Sequence, residues 1–351
     1  MLTDQRLEEI LNCIPSLTLA VVGDLFLDRY LDIDAALTEP SLETGLEAYQ
    51  VTRVRSFPGA AGTVINNLAA LGVGQIHAIS FIGDDGEGYE LRGALENLRV
   101  VDTSHVLISK FNQPYYTPTY TKPLLHQAGH PPRELNRLDI KNRGSLPEVV
   151  QEHTTCVLRA LWPEVDALLV VDQVSEPNCG VITRGVREVL VELGETRPEK
   201  LILADSRERI GLFRSVTVKP NQTECRNAIR DAEPEPETTD DCAAALARMT
   251  GRPVFCTCGE RGTLVVEPRL TPVQIERVPA YPVSGPIDIV GAGDSTSAAI
   301  ACALATGASS AEAAAFGNLI ASITIQQIGT TGTATPAQAR LRWQQVRKKE
   351  A

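Results

Sequence analysis

The chain predicts an α/β sandwich, with a mostly parallel central sheet, helices on both faces and a small accessory β-sheet. Three observations carry this. Apolar runs of strand length alternate with helical segments along most of the 351 residues. Those runs, such as 17–22 and 167–171, are continuously apolar, as strands are when they are buried on both faces and joined by right-handed crossovers. Two other stretches alternate apolar and polar residues, as strands do when one face alone is buried.

Taken in order, a strand over 17–22 leads to a helix over 62–71, a strand over 76–82 to a helix over 86–98, and a strand over 167–171 to a helix over 180–193. Strands at 201–204 and 215–218 precede a helix over 224–231. Residues 47–55 and 116–139 are rich in β-branched and aromatic residues with polar partners at period two, which suits a small sheet projecting from the body. In an enzyme that excludes water such a sheet is a lid; as a dimerisation sheet it joins two copies, and the two roles are compatible. The expectation is one domain, 1–351, with lid strands over 31–57 and 106–140 inserted in it. Residues 231–241, acidic and proline-rich, read as a solvated loop. Residues 340–349, with Trp343 among basic side chains, read as a surface helix whose C-terminal charge favours its dipole.

The apolar fraction of 43% and charged fraction of 22% indicate a sizeable core. Residues 1–12 carry Asp4, Arg6, Glu8 and Glu9 rather than a secretory leader pattern, and no apolar run approaches the roughly 20 residues of a membrane span. A cytoplasmic protein is expected. The net charge of −11 argues against nucleic acid or an anionic membrane as partner, yet leaves room for a nucleotide whose phosphates are neutralised by amide dipoles and Mg²⁺. Of the eight cysteines, Cys256 and Cys258 alone are closely spaced. One intervening residue in a strand points both thiols to one face, a poor start for a tetrahedral site, so the cysteines read as reduced core thiols.

The chemistry is concentrated in Asp288-Ile289-Val290-Gly291-Ala292-Gly293-Asp294, followed by a small-residue helix over 295–306. Gly291, Ala292 and Gly293 leave backbone amides open to an anion at a helix start. Asp294 beside them would be repelled by a resident phosphate, and makes sense facing a hydroxyl that attacks phosphorus. The pattern predicts phosphoryl transfer from a nucleotide to an alcohol, against a plain Gly-rich turn whose Asp caps the helix.

Further pieces stand in a fixed order: Gly23-Asp24-Leu25-Phe26-Leu27-Asp28, Pro58-Gly59-Ala60-Ala61-Gly62-Thr63, Gly83-Asp84-Asp85-Gly86, Lys219-Pro220-Asn221-Gln222-Thr223-Glu224 and Thr257-Cys258-Gly259-Glu260-Arg261-Gly262. With the 291–294 turn, this order resembles the ribokinase-like (PfkB) carbohydrate kinase family over residues 19–336. Within it the likeness is greatest to the heptose-phosphate kinase domain of lipopolysaccharide precursor synthesis, on residues 23–30, Thr121-Lys122 and Asn136-Arg137-Leu138-Asp139. No nucleotidyltransferase half follows, so the kinase step alone is expected. The resemblance implies a ribokinase-like three-layer sandwich with a β-lid. It also implies ATP-dependent transfer of the γ-phosphoryl group to a sugar or sugar-phosphate hydroxyl, with Mg²⁺ and, in some members, K⁺.

Roles follow from the resemblance by position. Asp294 would be the base, and the amides of Gly291, Ala292 and Gly293 would hold the transferring phosphoryl. Asn221 and Glu224 would organise Mg²⁺ through water, or else form a helix N-cap with its capping-box acid. Thr257 and Gly259 would line the nucleotide phosphates with Gly262 opening the next strand, or the three form a plain hairpin turn. Asn318 would lie near the base or complete a core hydrogen bond. On the acceptor side, Asp28 can accept from two adjacent hydroxyls, while Asp24 either joins it or supports the turn. Gly59, Ala60 and Thr63 occupy the second loop, where the family has a Gly-Gly pair and an Asn; Thr reaches less far, so the acceptor's hydroxyl pattern should differ. Lys122 and Arg137 are strand cations that would hold a phosphate on the acceptor. Asp172 ends a parallel strand, facing the crevice or bonding to its own loop. Asp288 and the 329–333 loop match the family's potassium position, although Ile289-Val290 replaces the usual Thr pair. A nucleoside kinase would use Tyr115, Tyr116 or Tyr120 to sandwich a base, and a catalytically silent sensor would have no use for Asp294 beside an anion hole. Neither a dinucleotide fingerprint nor a P-loop is present in the sequence.

Overall fold

A computed structural model describes residues 2–109, 115–230, 236–268 and 273–350. The chain opens with α1 (Asp4–Cys13), β1 (Thr18–Gly23), β2 (Leu25–Asp34), β3 (Glu39–Pro40), β4 (Glu47–Ala48), β5 (Val51–Ala60) and α2 (Ala61–Leu71). It continues through β6 (Gln75–Gly83), α3 (Gly86–Glu96), β7 (Val101–Asp102), β8 (Val106–Ser109), β9 (Thr119–His126), β10 (Arg133–Glu134), β11 (Leu138–Ile140) and α4 (Glu148–Leu161). Then come β12 (Ala167–Asp172), α5 (Arg184–Thr196), β13 (Leu201–Ser206), β14 (Thr217–Val218), α6 (Gln222–Ala228), α7 (Thr239–Thr250) and β15 (Val254–Thr257). The chain closes with β16 (Thr263–Glu267), β17 (Gln274–Val278), α8 (Ala292–Ala305), α9 (Ser310–Thr324) and α10 (Pro336–Glu350).

The main sheet has the order β17-β16-β15-β14-β13-β12-β1-β6-β7, with β8 also on β6. Pairing is parallel from β7 and β8 through to β15 and antiparallel for β16 and β17. Strand alternation feeds two cores: Leu19 and Val21 of β1 join a core with α1–α3 and α8–α10, while Ala20 and Val22 join another with α4–α7. That is why the predicted runs are apolar at every position.

One residue after β1 the chain enters β2, which leaves the main sheet at its carboxyl edge and becomes the centre of a second sheet, β10-β9-β2-β5, with β11 on β9. β2 pairs antiparallel with β5 and parallel with β9. This sheet differs in detail from the sequence expectation. The strand expected over 47–55 is two strands, the second running on to Ala60, and β8, inside the expected lid range 106–140, belongs to the main sheet through β6. Residues 110–114 of that range lie outside the described residues.

Other boundaries shift for local reasons. Residues 239–241, expected as loop, are the first turn of α7, because Thr238 caps it by accepting from the Asp241 amide at 3.1 Å and acids there favour the dipole. Residues 231–235 of that expected loop lie outside the described residues. The helix expected over 295–306 begins three residues earlier, at Ala292. Among the described residues no helix is long and apolar enough to cross a membrane.

Candidate active site

The anion turn is built by the start of α8. Gly291 caps it in the left-handed region at φ 78°, where a side chain would be strained; a Cβ there would also meet Thr331 at 3.3 Å and Thr63 at 3.5 Å. The Ala292 amide donates to the Ile289 carbonyl at 3.1 Å, leaving the amides of Gly291, Gly293 and Asp294 without a protein acceptor among the described residues. The expected triplet of donors is therefore corrected: Ala292 closes the turn, and the Asp294 amide takes its place because the helix has already begun. The carboxyl of Asp294 thus sits within the first helical turn rather than before it.

Around it lies a charge cluster. Burial pushes the Asp294 carboxyl up to about 7, Asp205 adds to this, and Lys219 and Arg207 oppose it. Lys219 is buried, with Nζ 2.9 Å from Asp205 Oδ2 and 3.7 Å from where a Gly293 Cβ would stand. Burial alone would lower the Lys219 pKa, but Asp205, Glu224 and Asp294 outweigh it and raise it. Asp205 also accepts from Ser297 Oγ at 2.8 Å, tying β13 to α8. Glu224 is raised by burial first and Asp205 second. Asp205, Lys219 and Arg207 were not singled out from sequence. Lys219 opens the quoted 219–224 motif and Asp205 ends an apolar strand as Asp172 does, so a signal existed for both.

The acceptor side comes from the second sheet and α2. Asp28 lies on β2 opposite Tyr120 of β9, and Lys122 Nζ is 3.4 Å from its Oδ1 and 3.2 Å from Tyr30 Oη. A Cβ on Gly59 would approach Asp28 Oδ2 to 2.6 Å, so a larger residue there would push the Asp28 carboxylate from its place. Ala60 stands at φ 52°, ψ −116°, a conformation that glycine adopts freely and alanine only under strain. Thr63 is buried, near Gly291, its hydroxyl donating to Pro58 O at a long 3.4 Å. Asp28 also contributes to raising Asp294, so the second sheet and the anion turn face one electrostatic centre. Beside it, Phe26, Tyr120, Lys141 and Arg207 line a small open cleft.

On the nucleotide side the structure supplies local partners for several residues. Asn221 and Glu224 form a capping box: Asn221 Oδ1 accepts from the Glu224 amide at 2.9 Å and Glu224 Oε2 from the Asn221 amide at 2.7 Å. Thr257 bridges to Asn221 at the end of β15, and its amide donates to Pro220 O at 2.9 Å. Gly259 at φ 60° and Gly262 at φ 85° turn the chain between the antiparallel β15 and β16, and a Cβ on Gly262 would fall 2.1 Å from Val278 O. Asn318 is buried, accepting from Thr263 Oγ1 at 2.7 Å and donating to Val278 O and Pro279 O. Asp288 accepts from the Val290 amide and, across to the 329–333 loop, from the Gly329 amide, each at 3.0 Å.

Three candidates are not brought to this centre as free groups. Asp24 is buried, accepting from the amides of Gln173, Val174 and Val181, and burial followed by Asp172 raises it to about 6. Asp172 is sealed by Ser206 and by Arg209, whose Nη2 is 2.5 Å from its Oδ1. Both organise the loop after β12 instead of facing the acceptor, since buried carboxylates take the nearest donors. Arg137 is clamped on Asp139 at 2.6 and 2.8 Å and lies over the Tyr120 ring. Tyr115 packs on Phe81 and Tyr120 edge-to-face with Phe26, so neither is arranged as half of a base sandwich.

A mostly parallel sheet covered on both faces, with a charged turn at its carboxyl edge and a second sheet facing it, is the ribokinase-like fold. Residues 214–338 match the family described as pfkB family carbohydrate kinase. Among curated proteins, the bifunctional protein HldE of Bradyrhizobium sp. (strain ORS 278) is 26% identical over 337 residues, covering 95% of this chain and 64% of the relative. HldE of Desulfatibacillum aliphaticivorans is 28% identical over 329 residues, covering 92% of this chain and 62% of the relative. The chain thus spans less than two thirds of the length of these relatives. Ribokinase from Thermotoga maritima superposes with a TM-score of 0.64 at 20% identity, covering 93% of this chain and 99% of that one. Phosphofructokinase-2 from Escherichia coli gives 0.65 at 19%, covering 94% and 100%. The chain thus has a ribokinase-like fold, and its 214–338 segment matches the pfkB carbohydrate kinase family.

Proposed function

We propose that this chain transfers the γ-phosphoryl group of ATP to a hydroxyl of a sugar or sugar phosphate, a heptose phosphate being the first candidate, with Asp294 as general base. The observation that carries this is the convergence of Asp294, held up to about 7, with the open amides of Gly291 and Gly293 and the Lys219–Asp205 pair. A carboxyl at that pKa is ionised enough near neutrality to accept a proton and basic enough to hold it. The amides of Gly291, Gly293 and Asp294 receive the developing charge, and Lys219 keeps the acids around it from repelling that charge. Asp205 and the partly buried Glu224, served by one lysine, fit a divalent cation held through water, and the Asp288 carboxylate is the candidate ligand for a monovalent one. Bound Mg-ATP supplies the phosphoryl group and neutralises the acidic crevice.

In this reading Asp28 orients the acceptor hydroxyls, Thr63 and the Gly59-Ala60 turn shape the pocket, and the second sheet closes over it as a lid. Lys122 and Arg137 meet an acceptor phosphate by exchanging their present carboxylate partners for it, and Arg207 on the cleft wall joins them. The exposed Leu42, Leu46, Val51 and Val54 of the lid support a homodimer formed through it. The test is ADP release across a panel of sugars and sugar phosphates that includes heptose phosphates. Stimulation by at least one member is expected, and the absence of any stimulation would refute the proposal.

A further inference from the structure

Far from the anion turn, at the edge of the main sheet, His77, Asp102 and His105 place one ligand atom each within 4.8 Å of one another. The arrangement follows from the topology. His77 and Asp102 are directly opposed in the β6–β7 register, and His77 Nδ1 lies 3.1 Å from Asp102 Oδ2. His105 sits in the short connection between β7 and β8, its carbonyl accepting from the Ser80 amide of β6 at 3.5 Å, and its ring centroid is 6.0 Å from that of His77. Residues 77, 79 and 81 share one face of β6, and Ile79 and Phe81 pack into the core that α4 covers. On α4, His153 interacts with His105, and its Nε2 is buried without a hydrogen-bond partner. Two histidines therefore meet one carboxylate at one place, with a third beside His105.

We propose that His77, Asp102 and His105, with water as a fourth ligand, bind a divalent transition-metal ion, Zn²⁺ being the ion these donors suit. Imidazole and carboxylate donors without thiolate are ordinary zinc ligands, and bonds of about 2.1 Å place tetrahedral ligand atoms about 3.4 Å apart. The His77–Asp102 separation is already within that distance, and the other spacings are at most 4.8 Å. A hydrogen-bonded His77–Asp102 pair alone would not account for the approach of His105. His77 stands near the start of β6, at the opposite end from Gly83 and the crevice, so the ion would be structural, clamping the two-residue β7 and the connection after it to the sheet edge.

The experiment is calorimetric titration of the full chain with Zn²⁺ alone, followed by Co²⁺ absorption. One equivalent per chain is expected, with a rise in Tm and a cobalt spectrum free of thiolate charge transfer. His105→Gln should weaken binding at least about tenfold while leaving the metal-free Tm and Mg-ATP-dependent turnover unchanged. A Cys13→Ser/Cys156→Ser variant, lacking the exposed thiols, should bind as the parent does. No zinc binding, equal binding by His105→Gln, or loss of binding in the cysteine variant would each overturn the proposal.

Discussion

Replacing Asp294 with Asn separates catalysis from folding. The two side chains have nearly equal volume, so α8 should keep its first turn, but the amide cannot accept a proton in the transition state. Loss of a general base costs about 10²–10⁴ in rate, roughly 3–5 kcal/mol. The same substitution acts on stability in the opposite direction. A carboxyl raised from 3.8 to about 7 on folding stabilises the protein only while protonated: that contribution is full below pH 3.8 and is lost as pH rises through 7. The shift corresponds to at most about 4 kcal/mol, part of which returns because the new amide must find partners. Asp294→Asn should therefore be more stable than the parent at pH 8, and the gap should close between pH 7 and pH 4. Coupled ADP release and urea denaturation at pH 5 and pH 8 measure the two effects. In the parent, turnover should rise with pH through about 7, as the base ionises. An Asn variant that turns over at near the parental rate would refute the mechanism, and one whose stability gap ignores pH would refute the electrostatic account of the site.

The other substitutions probe its surroundings. Ala60→Gly should stabilise the fold by about 1–2 kcal/mol in urea denaturation, because glycine accepts φ 52°, ψ −116° without the strain alanine carries; an unchanged midpoint would remove strain from the account of this turn. Lys219→Met should destabilise by roughly 3–5 kcal/mol by leaving Asp205 buried without its cation, and Lys219→Met/Asp205→Leu should recover much of that loss. Asn318→Ala should cost about 1–3 kcal/mol through the stranded Thr263 hydroxyl and the two carbonyls, with the Michaelis constant for ATP unchanged; a large rise in that constant would place Asn318 in nucleotide binding instead. Sedimentation should show a dimer that Leu46→Glu dissociates, and a monomeric parent would remove the lid from any assembly.

What the sequence determined by itself is the part written in local pattern. The continuous apolar runs at 17–22, 76–82 and 167–171 appear as β1, β6 and β12 because a strand covered on both faces has no polar position to reveal. The Gly-rich turn was legible because positive φ and open amides demand small residues at fixed spacing. The charge cluster was not. Lys219 and Asp205 carried a local signal and Arg207 none, but that the three meet Asp294 follows from the parallel order, which sets the ends of β13 and β14 beside the start of α8. Tertiary structure likewise decided which acids are spoken for. Asp24 and Asp172 look in sequence as available as Asp28, but buried carboxylates take the donors nearest to them, and the loop after β12 surrounds the first two with amides, Ser206 and Arg209. Asp28 escapes because β2 leaves the main sheet and carries it across the crevice, a step that depends on which strands pair and that no local stretch of sequence encodes.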